Sequence, residues 1–254
     1  IQSPSTAASP TYPTAASNLD PLFGVGGKAT LSLSDSVDYI HEISLQDSGQ
    51  ILGVGSKNNH FAIYRLNSDL GLDATFGVNG VVEIDFGDGI HARAIEVDES
   101  GRIVAVGGDR IVRLNADGSL DTSFGGQGWV TADHVQQAWD IEIRPDGALV
   151  VGGGDDSLFR VALWSESGQR LSTKQADFMQ YGKDFGRALV GEHDGSVEFY
   201  GMARKSWDLN DTRSTWMRID SFDDFVGHGG IKGGDNFDFV HSAISLPDGR
   251  ALLV

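Results

Sequence analysis

The chain has 254 residues, of which 40% are hydrophobic and 22% charged, a balance typical of a folded protein and not of a disordered one. Its 36 acidic residues outnumber its 19 basic ones, and the resulting net charge of -17 repels a phosphate backbone, which argues against nucleic acid as a partner. The chain contains no cysteine, so disulfides and thiolate metal sites are excluded.

The first segment, residues 1–17, is rich in Ser, Thr, Ala and Pro and has no helical apolar pattern. We interpret it as a linker or as a mature N-terminus. No apolar stretch in the chain approaches the roughly 20 residues that a membrane-spanning helix needs. We therefore expect no membrane span.

A segment of the form Leu-Asp-x-x-Phe-Gly-x-x-Gly recurs at Leu19 to Gly27, Leu72 to Gly80 and Leu120 to Gly128. The period near 50 residues indicates a repeat protein. After each copy come an apolar stretch, a turn ending in Gly, a Val/Gly-rich run and a stretch related to Arg-Leu-Asn. Four short strands and three turns per unit predict an all-β fold, a β-propeller-like array of four-stranded antiparallel blades.

Alternating apolar residues set the predicted strands of the first three units. These are 37–45, 51–55 and 61–67, then 92–97, 103–107 and 111–115, then 139–143, 149–153 and 158–163. The outer strand of each blade is expected after the next Leu-Asp segment. Phe23, Phe76 and Phe124 occur at the same place in the repeat, and we expect them to fill the seams between adjacent blades.

The repeat drifts in its second half. A fourth unit keeps the register at 188–191 and 197–201 but carries an insertion at 204–212, and a fifth begins at 240–246 and includes 251–254. About five repeats are visible, with units near 18–71, 72–119, 120–169, 170–230 and 231–254, the last one incomplete. We expect a continuation of the chain, or another segment, to complete the last blade.

The combined consensus extends beyond the Leu-Asp segment to a Pro-Asp-Gly turn, Val-x-Gly-Gly and Arg-Leu-Asn-x-Asp-Gly-Ser, and its clearest copy is Ile103 to Gly125. This consensus resembles the delta-60 repeat family, found mostly in exported or surface proteins of bacteria. The resemblance implies a propeller-like array and a secreted, periplasmic or cell-surface location. It implies no catalytic residues, because the shared positions are structural.

A site is expected in the funnel formed by the loops that enter each innermost strand and the loops that join second to third strands. Short acids, an amide and one tryptophan concentrate there; the candidate ligand-binding residues are Asp109, Asp155, Asp156, Trp207, Asp208 and Asn210. Such residues suit hydroxyl-rich sugars or a divalent cation such as calcium. They are also ordinary turn formers, so a structural interpretation stays open. No other cofactor is predicted.

No catalytic signature is present in the chain: it has no Gly-x-Ser-x-Gly, His-Glu-x-x-His, Walker loop or EF-hand loop. Our preferred hypothesis is an exported, non-enzymatic propeller that binds a glycan, a protein or a surface. The alternative is a hydrolase or lyase that acts on polysaccharide with paired funnel carboxylates. A purely architectural role as a spacer is the third possibility.

Overall fold

The structure, a computed structural model, describes Lys28 and residues 38–87, 89–155, 158–176, 182–191, 195–205, 212–220, 225–231, 243–245 and 251–253. The chain divides into a first unit, Ile1–Ser32, and a second unit, Leu33–Val254. All named strands belong to the second unit. The predicted linker at 1–17 and Phe23 lie outside the described residues.

The described part of the second unit is all-β. The first sheet contains β1 (Tyr39–Leu45), β2 (Ile51–Lys57), β3 (His60–Leu66) and β4 (Val81–Ile84). The second contains β5 (Ala94–Val97), β6 (Ile103–Gly107), β7 (Arg110–Leu114) and β8 (Trp129–Thr131). The third contains β9 (Ala138–Ile143), β10 (Leu149–Asp155), β11 (Leu158–Trp164) and β12 (Arg170–Ala176). The fourth contains β13 (Gly182–Gly191), β14 (Val197–Lys205), β15 (Thr212–Ile219) and β16 (Phe225–Ile231), and β17 (Ala243–Ser245) pairs with β18 (Ala251–Leu253).

Each four-stranded sheet is antiparallel, with its strands in chain order. The first strands of successive sheets contact one another, since β1 meets β5, β5 meets β9, β9 meets β13 and β13 meets β17. The first strands therefore form the inner, axial edges of the sheets. This confirms the predicted all-β, propeller-like array of four-stranded blades. Among the described residues no helix is long and apolar enough to cross a membrane.

The turns that end in Gly join the first strand of a sheet to the second, as expected, at 46–49, 98–101 and 144–147. The fourth strand of a sheet follows the next Leu-Asp segment: β4 comes after Leu72 to Gly80 and β8 after Leu120 to Gly128. Each sheet is thus offset from the repeat by one strand, because its outer strand comes from the start of the following repeat.

The hydrophobic core is distributed along the seams between neighbouring sheets. One cluster joins the first and second sheets, another the second and third, and another the third and fourth. Phe76 and Phe124 are both 0% exposed and lie in the first two of these clusters. The residue after each donates its backbone N–H to an equivalent carbonyl across the seam, from Gly77 to Asp117 and from Gly125 to Ser167. The predicted seam position is therefore confirmed for both phenylalanines.

A buried arginine on the third strand of the first two sheets holds the Leu-Asp-x-x-Phe segment that follows. Arg65 Nε donates to Asp73 Oδ2 at 2.8 Å, and the guanidinium carbon lies 4.6 Å from the ring centroid of Phe76. Arg65 Nη1 also donates to the backbone carbonyl of Ala116 in the next sheet. The equivalent residues of the second sheet are Arg113, Asp121 and Phe124, at 2.8 and 4.8 Å. The repeated Arg, Asp and Phe are thus one packing unit.

Candidate functional site

The first strand of each four-stranded sheet is irregular near its start. The register skips one residue on β1, β9 and β13, which defines a β-bulge in each. In the second sheet Arg93 holds the same place just before β5, and its backbone N–H donates to Val106 O. The residues at this position are His41, Arg93, Trp139 and Arg187, each eight residues before the glycine of the following turn. A bulge re-aims the side chain of the extra residue.

A glycine on the second strand faces the bulge in each of the first three sheets. A Cβ at that glycine would lie 1.7 to 1.9 Å from a backbone carbonyl oxygen of the first strand, a distance that no side chain tolerates. The pairs are Gly55 with Tyr39, Gly107 with His91, and Gly153 with Gln137. The glycine that recurs in the Val/Gly-rich run is therefore explained by the bulge.

The four bulge residues, which we call the bulge cluster, contact one another across the sheets. Arg93 Nη1 lies 3.5 Å from His41 Nδ1, and the guanidinium carbon of Arg93 is 4.6 Å from the ring centroid of Trp139. The guanidinium carbon of Arg187 is 3.9 Å from the same centroid. The indole of Trp139 thus carries one guanidinium from the sheet before it and one from the sheet after it, both within cation–π distance.

Polar and aromatic neighbours surround the His41 end of the bulge cluster. Tyr39 stacks on His41 with ring centroids 6.3 Å apart, and His91 stacks on it at 6.4 Å. His91 Nε2 is 2.9 Å from the side-chain oxygen of Asn59, at the tip of the β2–β3 hairpin. The bulge cluster therefore lies on the same side of the sheets as the hairpins that join second to third strands.

The bulge cluster is positively charged. Burial lowers the pKa of Arg93, which Arg187 lowers further, and burial lowers the pKa of Arg187. Burial, followed by Arg93, lowers the pKa of both His41 and His91, which favours the neutral imidazole at pH 7. Among the described side chains, no carboxylate forms an ion pair with Arg93 or Arg187.

Four carboxyl groups lie on the first strands of the first three sheets, and each accepts a backbone N–H from the next sheet. The inner edge of a first strand has no neighbouring strand, so its outward N–H groups need such acceptors. The acceptors and donors are Glu42 with Ile95 at 3.2 Å, Glu96 with Ile143 at 3.3 Å, Asp140 with Leu189 at 2.6 Å, and Glu142 with Gly191. These hydrogen bonds therefore join each of the first three sheets to the sheet that follows it.

Burial is the main influence on these axial carboxyls. It raises the pKa of Glu42 to about 7, and together with the neighbouring Glu142 it raises that of Glu96 to about 8. Burial also raises the pKa of Asp140 and of Glu142. Near neutral pH the axial edges thus carry less negative charge than four carboxylates would suggest.

The structure places two of the six sequence-predicted site residues. Asp109 lies in the β6–β7 turn, where its carboxylate is 2.7 Å from Nη1 of its neighbour Arg110. Asp155 is the last residue of β10. The other four, Asp156, Trp207, Asp208 and Asn210, lie outside the described residues. No described contact joins Asp109 to the bulge cluster.

The bulge cluster and the axial carboxyls were not predicted as a site. Aligning the repeats on their turn glycines would have shown a signal, because the position eight residues earlier reads His, Arg, Trp and Arg while its surroundings stay similar. Among the residues that the structure describes, no group of three or more His, Asp or Glu side chains is placed to hold a metal ion. The calcium site stays a prediction.

Comparisons with known proteins agree with the fold. The family model described as "Domain of unknown function (DUF5122) beta-propeller" matches residues 46–76 and 99–124. The chain is similar to the solved structure of a protein of unknown function from Bacteroides caccae, at 15% identity and a TM-score of 0.56, over 88% of this chain and 72% of that one. No curated protein sequence matches the chain. The chain is thus a β-propeller protein.

Two further structures are similar at a lower level. One is a gluconolactonase from Xanthomonas campestris, at 13% identity and a TM-score of 0.49, covering 86% of this chain and 70% of that one. The other is the extracellular domain of a proposed hybrid two-component system from B. thetaiotaomicron, at 10% identity and a TM-score of 0.47, covering 89% of this chain and 28% of that one. Likenesses of this size add nothing on activity.

Proposed function

We propose that this chain is an exported, non-enzymatic β-propeller that binds a glycan at the bulge cluster. The observation that carries the proposal is the contrast at one strand position: the bulge recurs in the sheets while its residue changes from His41 to Arg93, Trp139 and Arg187. A β-bulge that is kept from sheet to sheet while its side chain changes is expected at a position that binds a ligand, because a packing position would keep the same side chain. Export rests on the resemblance of the repeat to delta-60 repeats.

The chemistry around the bulge cluster favours a hydroxyl-rich ligand. Tyr39 is 52% exposed and offers a ring face beside His41, and neutral imidazoles can both donate and accept hydrogen bonds. The amide of Asn59 next to His91 adds a polar group at the rim. Aromatic rings, amides and guanidiniums can bind and orient sugars through ring faces and hydrogen bonds.

The axial carboxyls favour binding over catalysis. Glu42, Glu96, Asp140 and Glu142 each already accept a backbone N–H of the neighbouring sheet, so a packing role accounts for all four. A general acid or base needs hydrogen-bond reach to a substrate in addition to a suitable pKa. The raised pKa values alone therefore do not make these groups catalytic.

A glycan screen with matched variants tests the proposal. The wild-type chain should bind a defined set of oligosaccharides, and Trp139→Ala should weaken that binding at least tenfold, because the ring that orders both guanidiniums is removed. Leu171→Ala, at an exposed position of the outer strand β12, is the control and should bind like the wild type. Melting temperatures recorded in parallel identify loss of fold. Absence of any glycan binding by the folded wild type would overturn the proposal.

The specific observation that favours the alternative is the closeness of two acidic groups, since burial and then the neighbouring Glu142 raise the pKa of Glu96. A pair of neighbouring carboxyl groups is what many glycoside hydrolases use as acid and base. Incubation with polysaccharides should release no new sugar ends if the protein only binds. Release by the wild type that is lost in Glu142→Gln would establish the enzyme and contradict our proposal.

A further inference from the structure

We propose that Arg93 and Arg187, held over Trp139, form a subsite for an oxyanion carried by the ligand, and that this oxyanion is the carboxylate of an acidic sugar. The inference rests on the proposed glycan binding at the bulge cluster and adds the chemical class of the glycan, a uronic acid.

The two guanidiniums are fixed before any ligand arrives. Each lies within 4.6 Å of the Trp139 centroid, and each comes from a bulge in a separate sheet, so packing restricts both side chains. A guanidinium presents N–H donors in a planar fork that matches the two oxygens of a carboxylate. Binding to such prearranged donors costs little side-chain entropy.

The positive charge of the pair is not compensated within the described part of the chain. Arg65 and Arg113, the buried arginines of the seams, each bind an aspartate at 2.8 Å, whereas no aspartate among the described side chains forms an ion pair with Arg93 or Arg187. Both are only partly exposed, so water does not fully replace a counter-ion. A chain with a net charge of -17 thus holds a local cationic site at its axial edge.

The nearest acidic groups along the chain do not neutralise this site. Glu42 and Asp140 directly follow His41 and Trp139, but each accepts a backbone N–H of the next sheet. Burial raises the pKa of both carboxyls, which reduces their negative charge near pH 7. The guanidiniums are therefore left for an external anion.

The histidines favour a sugar carboxylate over a bare inorganic anion. His41 and His91 stack beside Arg93, and both have a lowered pKa, so they bring hydrogen-bonding groups without further charge at pH 7. The two guanidiniums can bind one carboxylate, while the imidazoles and the exposed Tyr39 ring can contact the hydroxyl-bearing sugar ring to which that carboxylate is attached. Inorganic phosphate would use the guanidiniums and leave the other groups without a partner.

Calorimetric titration with a matched pair of ligands tests the inference. Trigalacturonate and its methyl ester share the same rings and differ in the carboxylate charge. The wild type should bind the acid at least tenfold more tightly than the ester, and Arg93→Gln or Arg187→Gln should abolish that difference. Arg170→Gln, an exposed arginine on β12, is the control and should preserve it. If a Gln variant does not fold, Arg93→Lys keeps the charge without the fork and should lose part of the preference.

The outcomes separate the inference from the function on which it rests. Equal binding of acid and ester, or a preference that survives both Gln substitutions, overturns the oxyanion subsite and leaves glycan binding intact. Inorganic phosphate that binds as tightly as trigalacturonate also overturns it, because the sugar would then contribute nothing. Absence of any glycan binding in the screen removes the proposed function itself.

Discussion

Two kinds of Asp–Arg pair in this chain look alike by distance and differ in burial. Arg113 and Asp121 lie 2.8 Å apart with side chains 3% and 11% exposed, whereas Arg110 and Asp109 lie 2.7 Å apart with side chains 17% and 37% exposed. A buried charge that loses its partner cannot recover the loss from water. The repeated Asp of the Leu-Asp segment is therefore a determinant of stability, and Asp109 is not.

Replacing the buried aspartate should be costly. Asp121→Asn leaves the Arg113 guanidinium buried without a counter-ion, and we expect a loss of about 3 to 5 kcal/mol in the free energy of unfolding. Asp109→Asn is the matched control and should cost about 1 kcal/mol or less. Urea titrations of both variants at pH 7 measure the two losses. Losses of equal size would contradict the distinction between the pairs.

The charge state of Asp121 should also appear at low pH. Burial raises the pKa of Asp121, but hydrogen bonds with Ser123 and the ion pair with Arg113 outweigh it and hold the pKa below its usual value. Because the folded pKa is lowered, this contribution is present at neutral pH and is lost as the pH falls through the folded pKa.

At the scale of the strand, the bulge is the feature that brings the side chains of the bulge cluster together. It needs a glycine on the facing strand, because at Gly107 a Cβ would lie 1.9 Å from the backbone oxygen of His91. At Gly53, also on a second strand, the nearest atom to a Cβ would be a side-chain carbon of Ile40 at 3.7 Å, an ordinary contact. The two glycines should therefore tolerate substitution very differently.

Gly107→Ala should destabilise the fold by about 2 kcal/mol or more, because the obstructing atom belongs to the backbone and cannot rotate away. It should also weaken ligand binding, since Arg93 follows the displaced segment. Gly53→Ala should cost about 1 kcal/mol or less and leave binding unchanged. Thermal unfolding and one ligand titration per variant check this, and a Gly107→Ala protein as stable as Gly53→Ala would show that the bulge is not tightly packed.

The axial carboxyls predict an unusual dependence of stability on pH. The pKa of Glu96 is raised from 4.5 to about 8 by burial and then by Glu142, and that of Glu42 to about 7 by burial. Between pH 4.5 and these values the folded chain holds protons that the unfolded chain has released, so stability falls as the pH rises. The slope is at most about 1.4 kcal/mol per pH unit for each group.

Glu96→Gln keeps an oxygen that accepts the Ile143 N–H and removes the charge. It should therefore flatten the decline in the free energy of unfolding between pH 5 and 8, relative to the wild type, and raise stability at about pH 8. Glu99→Gln, in the exposed turn, makes the same chemical change and should leave the decline as it is. Urea titrations at four pH values measure the slopes. An unchanged slope in Glu96→Gln would show that the carboxylate is charged throughout.

Regular elements were predictable from the sequence, and irregular ones were not. The strand expected at 103–107 matches β6, because a period of two survives wherever the pairing is regular. The strand expected from residue 92 starts at Ala94 as β5, and the difference contains Arg93. A bulge adds one residue and interrupts the alternation of side chains along the strand. A prediction from that alternation therefore counts the bulge residue as part of a regular strand. The bulge cluster also depends on contacts between sheets, which no single repeat displays.

At the scale of the whole second unit, one apolar surface differs from its equivalents. On β1, Ile43 is 65% exposed and Leu45 75% exposed, whereas Ile95 and Ile141, at the position of Ile43 in the next two sheets, are each 3% exposed. Those two are buried because they pack into the seam clusters. An exposed apolar sheet face of this kind promotes association.

The β1 face should make the chain associate at high concentration. Leu45→Lys puts a charge on that face and should shift sedimentation towards the monomer. Val78→Lys, at an exposed apolar residue that is 77% exposed and lies outside β1, is the control and should not. Identical sedimentation of wild type and Leu45→Lys at all concentrations would mean that the β1 face has no tendency to bind.

The central claim is that the bulge cluster binds the carboxylate of an acidic sugar, and a crystal structure of the chain with trigalacturonate tests it most directly. We expect a carboxylate within about 3.2 Å of guanidinium nitrogens of both Arg93 and Arg187. We also expect the sugar ring against His41 and Tyr39. A ligand bound instead at the turns that join first and second strands, with the bulge cluster unoccupied, would contradict that claim.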